Sequence, residues 1–138
     1  MKSNKYYIVV IVLCLGIVGI VLWVTRSKEE YYLVRGKKSY EKYCANCHGA
    51  KGEGLQLLIP PLTDAKWVND GSVVCIIKNG LEGEITVNGK SYEGRMPVTA
   101  KIDNDEIADL VSYIREEFIH QPDRMTIKQV NDQILNCK

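Results

Sequence analysis

An uncharged apolar run near the amino terminus is the most pronounced hydrophobic pattern in the chain. Residues 6–24 (YYIVVIVLCLGIVGIVLWV) contain no charged side chain in nineteen positions. A helix of this length spans roughly 28 Å, which is close to the thickness of the hydrocarbon core of a bilayer. A cleaved signal peptide is the alternative, but the run is long and no small-residue cleavage site follows it. We therefore predict an uncleaved transmembrane anchor over residues 1–25.

Helical periodicity characterises the domain that follows. After a polar linker at residues 26–35, the segment 36–48 (GKKSYEKYCANCH) places tyrosines and cysteines three and four positions apart, which is typical of one side of a helix. A loop rich in glycine and proline comes next, and the apolar run SVVCIIKN (72–79) then predicts a short helix that ends at Gly80. We expect residues 36–138 to form one mostly helical domain.

The clearest helix lies near the carboxyl terminus, in the sequence KIDNDEIADLVSYIREEF (101–118). Asp103 is expected as its N-cap, and Glu106 completes a variant of the capping box. The apolar residues of this segment form one stripe at helical spacing, as on a helix that packs against a core. After Pro122 a last short helix is predicted, with three side chains facing inward: Ile127, Val130 and Ile134.

A hairpin interrupts the helical pattern at residues 85–92 (ITVNGKSY). Asn88 and Gly89 suit a two-residue type I′ turn between two short strands, and the turn type sets the register of the strands. Side chains alternate between the two sides of a strand, so residues two positions apart share a face. The register pairs Ile85 with Tyr92 and Val87 with Lys90 on one face, and it places Thr86 and Ser91 on the other.

Composition limits both the partners and the core of this domain. The chain of 138 residues has a net charge of +1, and residues 29–138 hold fourteen basic and seventeen acidic side chains. This balance gives no indication of a nucleic-acid partner. Large side chains are few, since phenylalanine occurs once and one of the two tryptophans lies in the anchor. So small a domain fills its core with difficulty, and a large apolar cofactor would complete it.

Cys44, Cys47 and His48 form a C-x-x-C-H motif at the end of the first helical pattern of the domain. A thioredoxin-like redox pair needs the motif at the start of a helix, and a zinc site needs a second ligand pair that the sequence lacks. A disulfide across two intervening residues would be strained and would leave the histidine unexplained. Covalent haem c uses all three residues, because two thioethers bind its vinyl groups and the imidazole becomes the proximal iron ligand. The motif therefore predicts one covalent haem c.

With this motif, residues 36 to about 118 resemble the monohaem class I c-type cytochromes. The resemblance implies the cytochrome c fold around one haem, in which Gly36 of the first helix packs against an aromatic residue of the carboxyl-terminal helix, here Tyr113. It also implies that the carbonyl of Pro60 accepts a hydrogen bond from Nδ1 of His48. That bond would orient the imidazole and leave Nε2 for the iron.

The resemblance also indicates the distal ligand and the residues that pack on the haem. Met96 in the sequence GRMP is similar to the distal ligand of the family, and a thioether there would fill the sixth position and raise the reduction potential. Met125 lies beyond the carboxyl-terminal helix and His120 at its end, so both are weaker candidates. Leu62 and Trp67 are expected to pack on the haem, with packing elsewhere in the core as an equal alternative for the tryptophan.

Two cysteines, Cys75 and Cys137, lie outside both the motif and the anchor. Haem c is attached outside the cytoplasm, where disulfides persist, so an even pair of remaining cysteines favours a bridge. We predict a Cys75–Cys137 disulfide, which would hold the tail that starts at residue 119, beyond the usual end of the family. Two buried free thiols are the alternative.

The resemblance implies a membrane-anchored one-electron carrier and not an enzyme. Basic residues are more numerous after the anchor than before it, which favours a cytoplasmic domain, but the attachment of haem c outside the cytoplasm overrides this pattern. We therefore expect the haem domain on the periplasmic side of the cytoplasmic membrane, with redox proteins of a respiratory chain as donor and acceptor and no small-molecule substrate. The alternatives are a haem subunit of a larger respiratory complex and a peroxidase or ligand sensor with an open sixth position.

Overall fold

The computed structural model describes residues 3–63, 66–69, 71–99 and 101–137 of the chain. The mostly helical fold with one small hairpin, predicted from the sequence, is confirmed within these residues. The elements are α1 (Ser3–Tyr43), α2 (Ala45–His48), α3 (Lys66–Asn69), α4 (Ser72–Asn79), β1 (Ile85–Val87), β2 (Lys90–Tyr92), α5 (Asn104–Ile119) and α6 (Ile127–Ile134).

The chain divides into two compact units between Tyr31 and Tyr32. In the first unit, the apolar side chains of α1, such as those of Ile11 and Leu15, are exposed. The helix is long and apolar enough to cross a membrane, a property that signal sequences share. Residues 26–35, predicted as a linker, are helical. The division into anchor, linker and haem domain stays a proposal.

In the second unit, α1 packs closely against α5, and this contact depends on a glycine. A side-chain carbon added at Gly36 would overlap the backbone carbonyl oxygen of Asp109 and would lie 2.6 Å from Cβ of Tyr113. The expected pairing of this glycine with Tyr113 is therefore confirmed. Nearby, the buried ring of Tyr40 lies 5.7 Å from that of Tyr113 and 5.0 Å from that of Phe118, measured between centroids. These contacts fix the carboxyl-terminal part of α1 on α5.

The amino terminus of α5 uses its side chains differently from the prediction. Asp103 is the N-cap residue, as expected, but its side chain makes no capping hydrogen bond. The carboxylate of Glu106 accepts a hydrogen bond of 2.8 Å from the hydroxyl of Ser39, a buried residue of α1. The predicted capping box is therefore wrong, because tertiary packing provides Glu106 with a partner on another helix.

A capping box that the sequence analysis missed lies at the start of α6. The hydroxyl of Thr126 accepts a hydrogen bond from the backbone N–H of Gln129, and the side chain of Gln129 accepts one from the backbone N–H of Thr126. The T-x-x-Q spacing is the sequence signal for this arrangement. The box fixes the point at which the helix of the tail begins.

The inward face of α6 differs from the prediction at one position. Val130 is fully buried and Ile134 is partly buried, as expected, but Ile127 is 51% exposed, so its inward placement is wrong. Met125 is buried instead. Its backbone N–H donates to the buried hydroxyl of Ser112 (2.9 Å), which fixes the chain just before the helix and directs Ile127 outward.

The hairpin has the register that the sequence predicts. Its antiparallel strands pair Ile85 with Tyr92, Thr86 with Ser91 and Val87 with Lys90. Val87 and Tyr92 are buried and Ile85 is partly buried, whereas the opposite face is exposed to solvent. One face of the hairpin therefore belongs to the interior of the second unit.

A disulfide joins Cys75 of α4 to Cys137, which lies just beyond α6. The two cysteines are 62 positions apart in the sequence, and their Cα atoms are 5.4 Å apart. Because α6 also packs against α4 and α5, the bridge closes the tail onto the helical core.

Replacing Gly36 with alanine should destabilise the second unit. The added methyl group overlaps the Asp109 carbonyl, and overpacking of this kind costs about 1–3 kcal/mol, more than alanine gains in helix propensity. Chemical unfolding followed by circular dichroism measures the change. Lys38→Ala, an exposed change on the same helix, should alter the free energy of unfolding by less than about 0.5 kcal/mol. Equal stability of the two variants would contradict the close contact.

Removing the disulfide should also lower stability. The chain-entropy treatment assigns about 4 kcal/mol to a closed loop of this length, so Cys75→Ser/Cys137→Ser should unfold at a clearly lower guanidinium concentration than the wild type. Peptide mapping of the wild-type protein without reduction should recover one fragment that contains both cysteines. Two free, alkylatable thiols in protein matured outside the cytoplasm would rule out the bridge.

Candidate functional site

The C-x-x-C-H motif lies between the end of α1 and the end of α2. Helix α1 ends at Tyr43, Cys44 occupies a turn, and the N–H groups of Cys47 and His48 both donate to the carbonyl of Cys44 (3.1 and 2.9 Å). The thiol of Cys44 is buried, that of Cys47 is exposed, and neither takes part in a disulfide. The end of α1 therefore brings two free thiols and an imidazole together.

The imidazole of His48 is held in one orientation by a backbone carbonyl. Its Nδ1 lies 3.1 Å from the carbonyl oxygen of Pro60, and because a carbonyl only accepts hydrogen bonds, Nδ1 carries the proton. Burial lowers the pKa of His48, and the hydrogen bond to Pro60 opposes this shift to a smaller extent. The ring is therefore neutral near pH 7, and its Nε2 keeps the lone pair that a metal ion requires.

The loop after α2 places Pro60 beside this imidazole. The N–H of Gly54 donates to the carbonyl of His48 (2.8 Å), and the N–H of Leu62 donates to the carbonyl of Gly52 (2.7 Å). Gly54 has a φ of +70°, and a side-chain carbon at this position would lie 2.8 Å from the carbonyl carbon of Pro60. The loop therefore needs glycine here for two reasons, its backbone conformation and the closeness of the proline.

Two adjoining cavities of about 510 and 640 Å³ form a cleft beside the motif. Cys47 lines the first cavity and Cys44 the second, while His48 lines both. Most of the other lining side chains are apolar, as is usual for cofactor sites. Five residues line both cavities and so join them into one cleft: His48, Pro60, Leu81, Ile85 and Met96.

Met96 reaches the cleft from the segment that follows the hairpin. Its backbone pairs with that of Leu81, with N–O distances of 2.8 and 3.0 Å. Gly80 makes this pairing possible, because a side-chain carbon there would lie 2.6 Å from the carbonyl oxygen of Met96. Beside the pair, Nε of Arg95 lies 2.6 Å from the carboxylate of Glu82. The methionine thus enters the cleft from a part of the chain remote from the motif.

Every residue predicted to bind haem lines this one cleft. Leu62 and Trp67 are half-buried in its second cavity, and the tryptophan also packs against the buried core. Cys75 and Cys137 line neither cavity. The roles of these residues toward a cofactor stay proposals. The predicted residues that line the cleft are Cys44, Cys47, His48, Pro60, Leu62, Trp67 and Met96.

Sequence reasoning missed two contributors to the cleft wall. The buried face of the hairpin supplies Ile85, Val87 and Tyr92. The predicted register placed these three residues on one face of the hairpin, but no local signal indicated what that face would cover. Helices α4 and α5 contribute Val73, Ile76, Ile77 and Ile114. The sequence placed Ile114 on an apolar stripe and the other three in an apolar run, and only the fold turns them toward the cleft.

The geometry disfavours the other uses of the motif. A redox-active pair needs a cysteine with a lowered pKa, whereas burial, and to a smaller extent the neighbouring Cys47, raises the pKa of Cys44 to about 12. No three histidine, cysteine, aspartate or glutamate side chains converge among the described residues, as a zinc site would require. A Cys44–Cys47 disulfide is not formed.

The residues of the cleft fit a covalently attached haem. The free cysteines Cys44 and Cys47 each line one cavity, His48 with its oriented neutral ring lines both, and Met96 lines the same two cavities. The lining is apolar enough for a large planar ring system. Cys44 and Cys47 would hold such a group covalently, and His48 and Met96 offer the nitrogen and sulfur donors that haem iron accepts.

Comparison with known proteins points to the same chemistry. The family model for cytochrome c matches residues 33–117, more than half of the chain. Two proteins named cytochrome c-552, one from Thermus thermophilus and one from a designated strain of the same species, are each 33% identical over 85 residues. The matches cover 57% of this chain and 64% and 57% of the two relatives.

A further relative is named cbb3-type cytochrome c oxidase subunit FixP and comes from Bradyrhizobium diazoefficiens. It is 31% identical over 84 residues, which cover 59% of this chain and 29% of that protein. The chain thus spans less than two thirds of the length of each of the curated relatives named here.

Haem should remain bound to the polypeptide after denaturation and extraction with acidic organic solvent. Thioethers at Cys44 and Cys47 survive that treatment, so Cys44→Ala/Cys47→Ala should release any haem that it binds. Mass spectrometry of the denatured chain measures the attachment. Cys14→Ala removes the other free cysteine among the described residues and should leave the haem attached. Haem lost from the wild type, or retained by the double variant, would contradict the assignment.

Proposed function

This chain belongs to the cytochrome c family, and on that premise we propose that it is a one-electron carrier. The family implies a covalently bound haem c, whose iron accepts and releases a single electron. One observation carries the proposal: His48 with its oriented neutral imidazole, the free cysteines Cys44 and Cys47, and Met96 all line the same apolar cleft. The protein's part is to hold, bury and orient the haem.

His48 and Met96 are the proposed axial ligands of the iron. The occupied Nδ1 of His48 supports this role, because only Nε2 remains to bind the metal. Met125, the alternative thioether, is buried, but it lines neither cavity of the cleft. His120, the other alternative, is exposed at the carboxyl-terminal cap of α5 and also lies outside the cleft lining.

The remaining cleft residues hold the haem in place. Cys44 and Cys47 tether it through thioethers, and the carbonyl of Pro60 keeps the proximal imidazole in one orientation. Leu62 and Trp67, half-buried in the second cavity, pack on the ring. These contacts keep water away from most of the haem. In such an apolar site the free energy of the more positively charged ferric iron is raised, and this affects the reduction potential.

We infer that this protein is a carrier and not a peroxidase or ligand sensor. Those functions need an open sixth position, and a peroxidase also needs acid–base groups beside it. Among the described residues that line the cleft, His48 is the only histidine, and no aspartate or glutamate is present. Ligation by Met96 would fill the sixth position and leave electron transfer as the function of the iron.

The proposed site of action is the outer face of a membrane. We propose that residues 1–25 anchor the protein in the cytoplasmic membrane, with the haem domain on the periplasmic side. The exposed apolar side chains of α1 support the anchor, and the Cys75–Cys137 disulfide supports an oxidising compartment. Redox proteins of a respiratory chain are the expected electron donor and acceptor.

A second candidate function uses the same redox chemistry within a fixed assembly. The similarity to FixP, which is named as an oxidase subunit, favours a haem subunit of a larger respiratory complex. Purification in a mild detergent separates the two candidates, because a complex subunit elutes with stoichiometric partner chains and a free carrier elutes alone.

Methionine ligation gives a specific spectroscopic signature. The ferric protein should show the weak near-infrared band of a sulfur-to-iron transition, and Met96→Ala should abolish this band and lower the reduction potential. Met125→Leu is the matched control, because it changes a buried methionine outside the cleft and should keep the band. A band that survives Met96→Ala and disappears in Met125→Leu would transfer the distal role to Met125.

Carbon monoxide distinguishes a carrier from an enzyme or sensor. With both axial positions filled, the reduced protein should bind carbon monoxide slowly or not at all at neutral pH, and peroxide turnover should be negligible. Stopped-flow absorbance after mixing measures the binding rate. Met96→Ala serves as the positive control and should bind the gas rapidly. Rapid stoichiometric binding by the wild type would favour the peroxidase or sensor function instead.

A further inference from the structure

The segment that carries Met96 is attached to the end of α4. The backbone pairing at Met96 is the first attachment, and two further hydrogen bonds follow along the same segment. Together they join Met96, Thr99 and Ile102 to α4 and to the residues just after it. The attachments are Leu81 paired with Met96 (2.8 and 3.0 Å), the N–H of Thr99 donating to the Ile77 carbonyl (3.2 Å), and the Lys78 ammonium donating to the Ile102 carbonyl (3.1 Å).

The joint between α4 and this segment leaves little freedom. Gly80 ends α4 with a φ of +74°, and its N–H donates to the carbonyl of Ile76 (2.8 Å). A side-chain carbon at Gly80 would lie only 2.6 Å from the carbonyl oxygen of Met96, so the two backbones are in direct contact. A displacement of α4 therefore displaces the backbone of Met96 as well.

Helix α4 is held to the rest of the domain by the disulfide. The helix has only eight residues, and Cys75 near its centre is bonded to Cys137 beyond α6. Helix α6 is in turn fixed by the fully buried Val130 and by the hydrogen bond from the N–H of Met125 to Ser112 of α5. A covalent bond thus connects α4 with a helix that is attached to α5.

We propose that the Cys75–Cys137 disulfide positions the distal ligand: by fixing α4, it holds Met96 at the cleft. This inference rests on the proposed function, in which Met96 binds the haem iron. Without the bridge, non-covalent contacts alone hold a short helix, and local opening of the segment that carries Met96 becomes more frequent. The fraction of molecules with an open sixth position then rises, although neither cysteine touches the cleft.

Carbon monoxide binding to the reduced holoprotein measures this open fraction. The apparent affinity for the gas and the rate of its binding both scale with the fraction of molecules whose sixth position is open. Cys75→Ser/Cys137→Ser should bind the gas about tenfold faster than the wild type or more. Its near-infrared sulfur band should weaken, whereas its content of covalent haem should stay the same. A merely structural bridge would lower the unfolding midpoint and leave both signals unchanged under native conditions.

The matched control is a variant that loses stability at another contact. Phe118→Ala opens the aromatic cluster between α1 and α5, where Phe118 lies 5.0 Å from Tyr40 and 5.8 Å from Tyr113 between ring centroids. Phe118 lines neither cavity and lies on α5, away from the joint at Gly80. We expect a lowered unfolding midpoint and a carbon monoxide rate within about twofold of the wild type.

Two further measurements test the positioning role of the disulfide if Cys75→Ser/Cys137→Ser does not yield folded holoprotein. A water-soluble phosphine reduces the bridge in mature wild-type protein, and alkylation then blocks the two thiols while the haem thioethers survive. Carbon monoxide binding is measured on this material. Hydrogen exchange of the holoprotein reports separately on the N–H groups of Leu81 and Met96, which should exchange faster once the bridge is broken.

The outcomes separate this inference from the proposed function. A carbon monoxide rate that stays unchanged without the bridge, or that rises equally in Phe118→Ala, would overturn the positioning role of the disulfide. Unchanged hydrogen exchange at Leu81 and Met96 would overturn it as well. A wild type that lacks the sulfur band and binds the gas rapidly would overturn ligation by Met96 itself, whatever the double variant does.

Discussion

The contact between α1 and α5 at Gly36 is the constraint on which the second unit depends. Because no side chain separates the helices there, the α1 backbone meets the Asp109 carbonyl directly, and Tyr40 is buried one helical turn further along. The ion pair between Arg35 Nε and Asp109 (3.0 Å) reinforces the same crossing. Helix α1 therefore ends in a defined place and direction, and Cys44 enters the cleft from that end.

The two walls of the cleft are built in different ways. The wall that carries His48 is local, since His48 and the Pro60 carbonyl that orients it are twelve positions apart and one glycine-rich loop joins them. The wall that carries Met96 is assembled over long distances in the sequence, from α4, the hairpin and the segment after it. Its geometry consequently depends on how α4 and α6 pack on α5, and the Cys75–Cys137 bridge contributes to that packing.

The cleft also explains how so small a domain forms a core. Buried core side chains such as Ile77, Val87 and Ile114 also line the second cavity. A bound haem would pack against them and complete the core, which links the stability of the domain to its cofactor. The sequence has few large side chains, and the space that they would otherwise fill is the cleft that the haem would occupy.

The sequence alone was sufficient for features with local causes, namely the apolar run of α1, the motif at Cys44–His48 and the hairpin register set by Asn88 and Gly89. Errors arose where a partner lies on another element: Glu106 bonds to α1 and caps no helix, and Ile127 faces solvent. Only the tertiary structure decided what the hairpin covers and how Met96 pairs with the chain beyond α4. These contacts join residues far apart in the sequence, and chain packing, which local patterns do not encode, selects them.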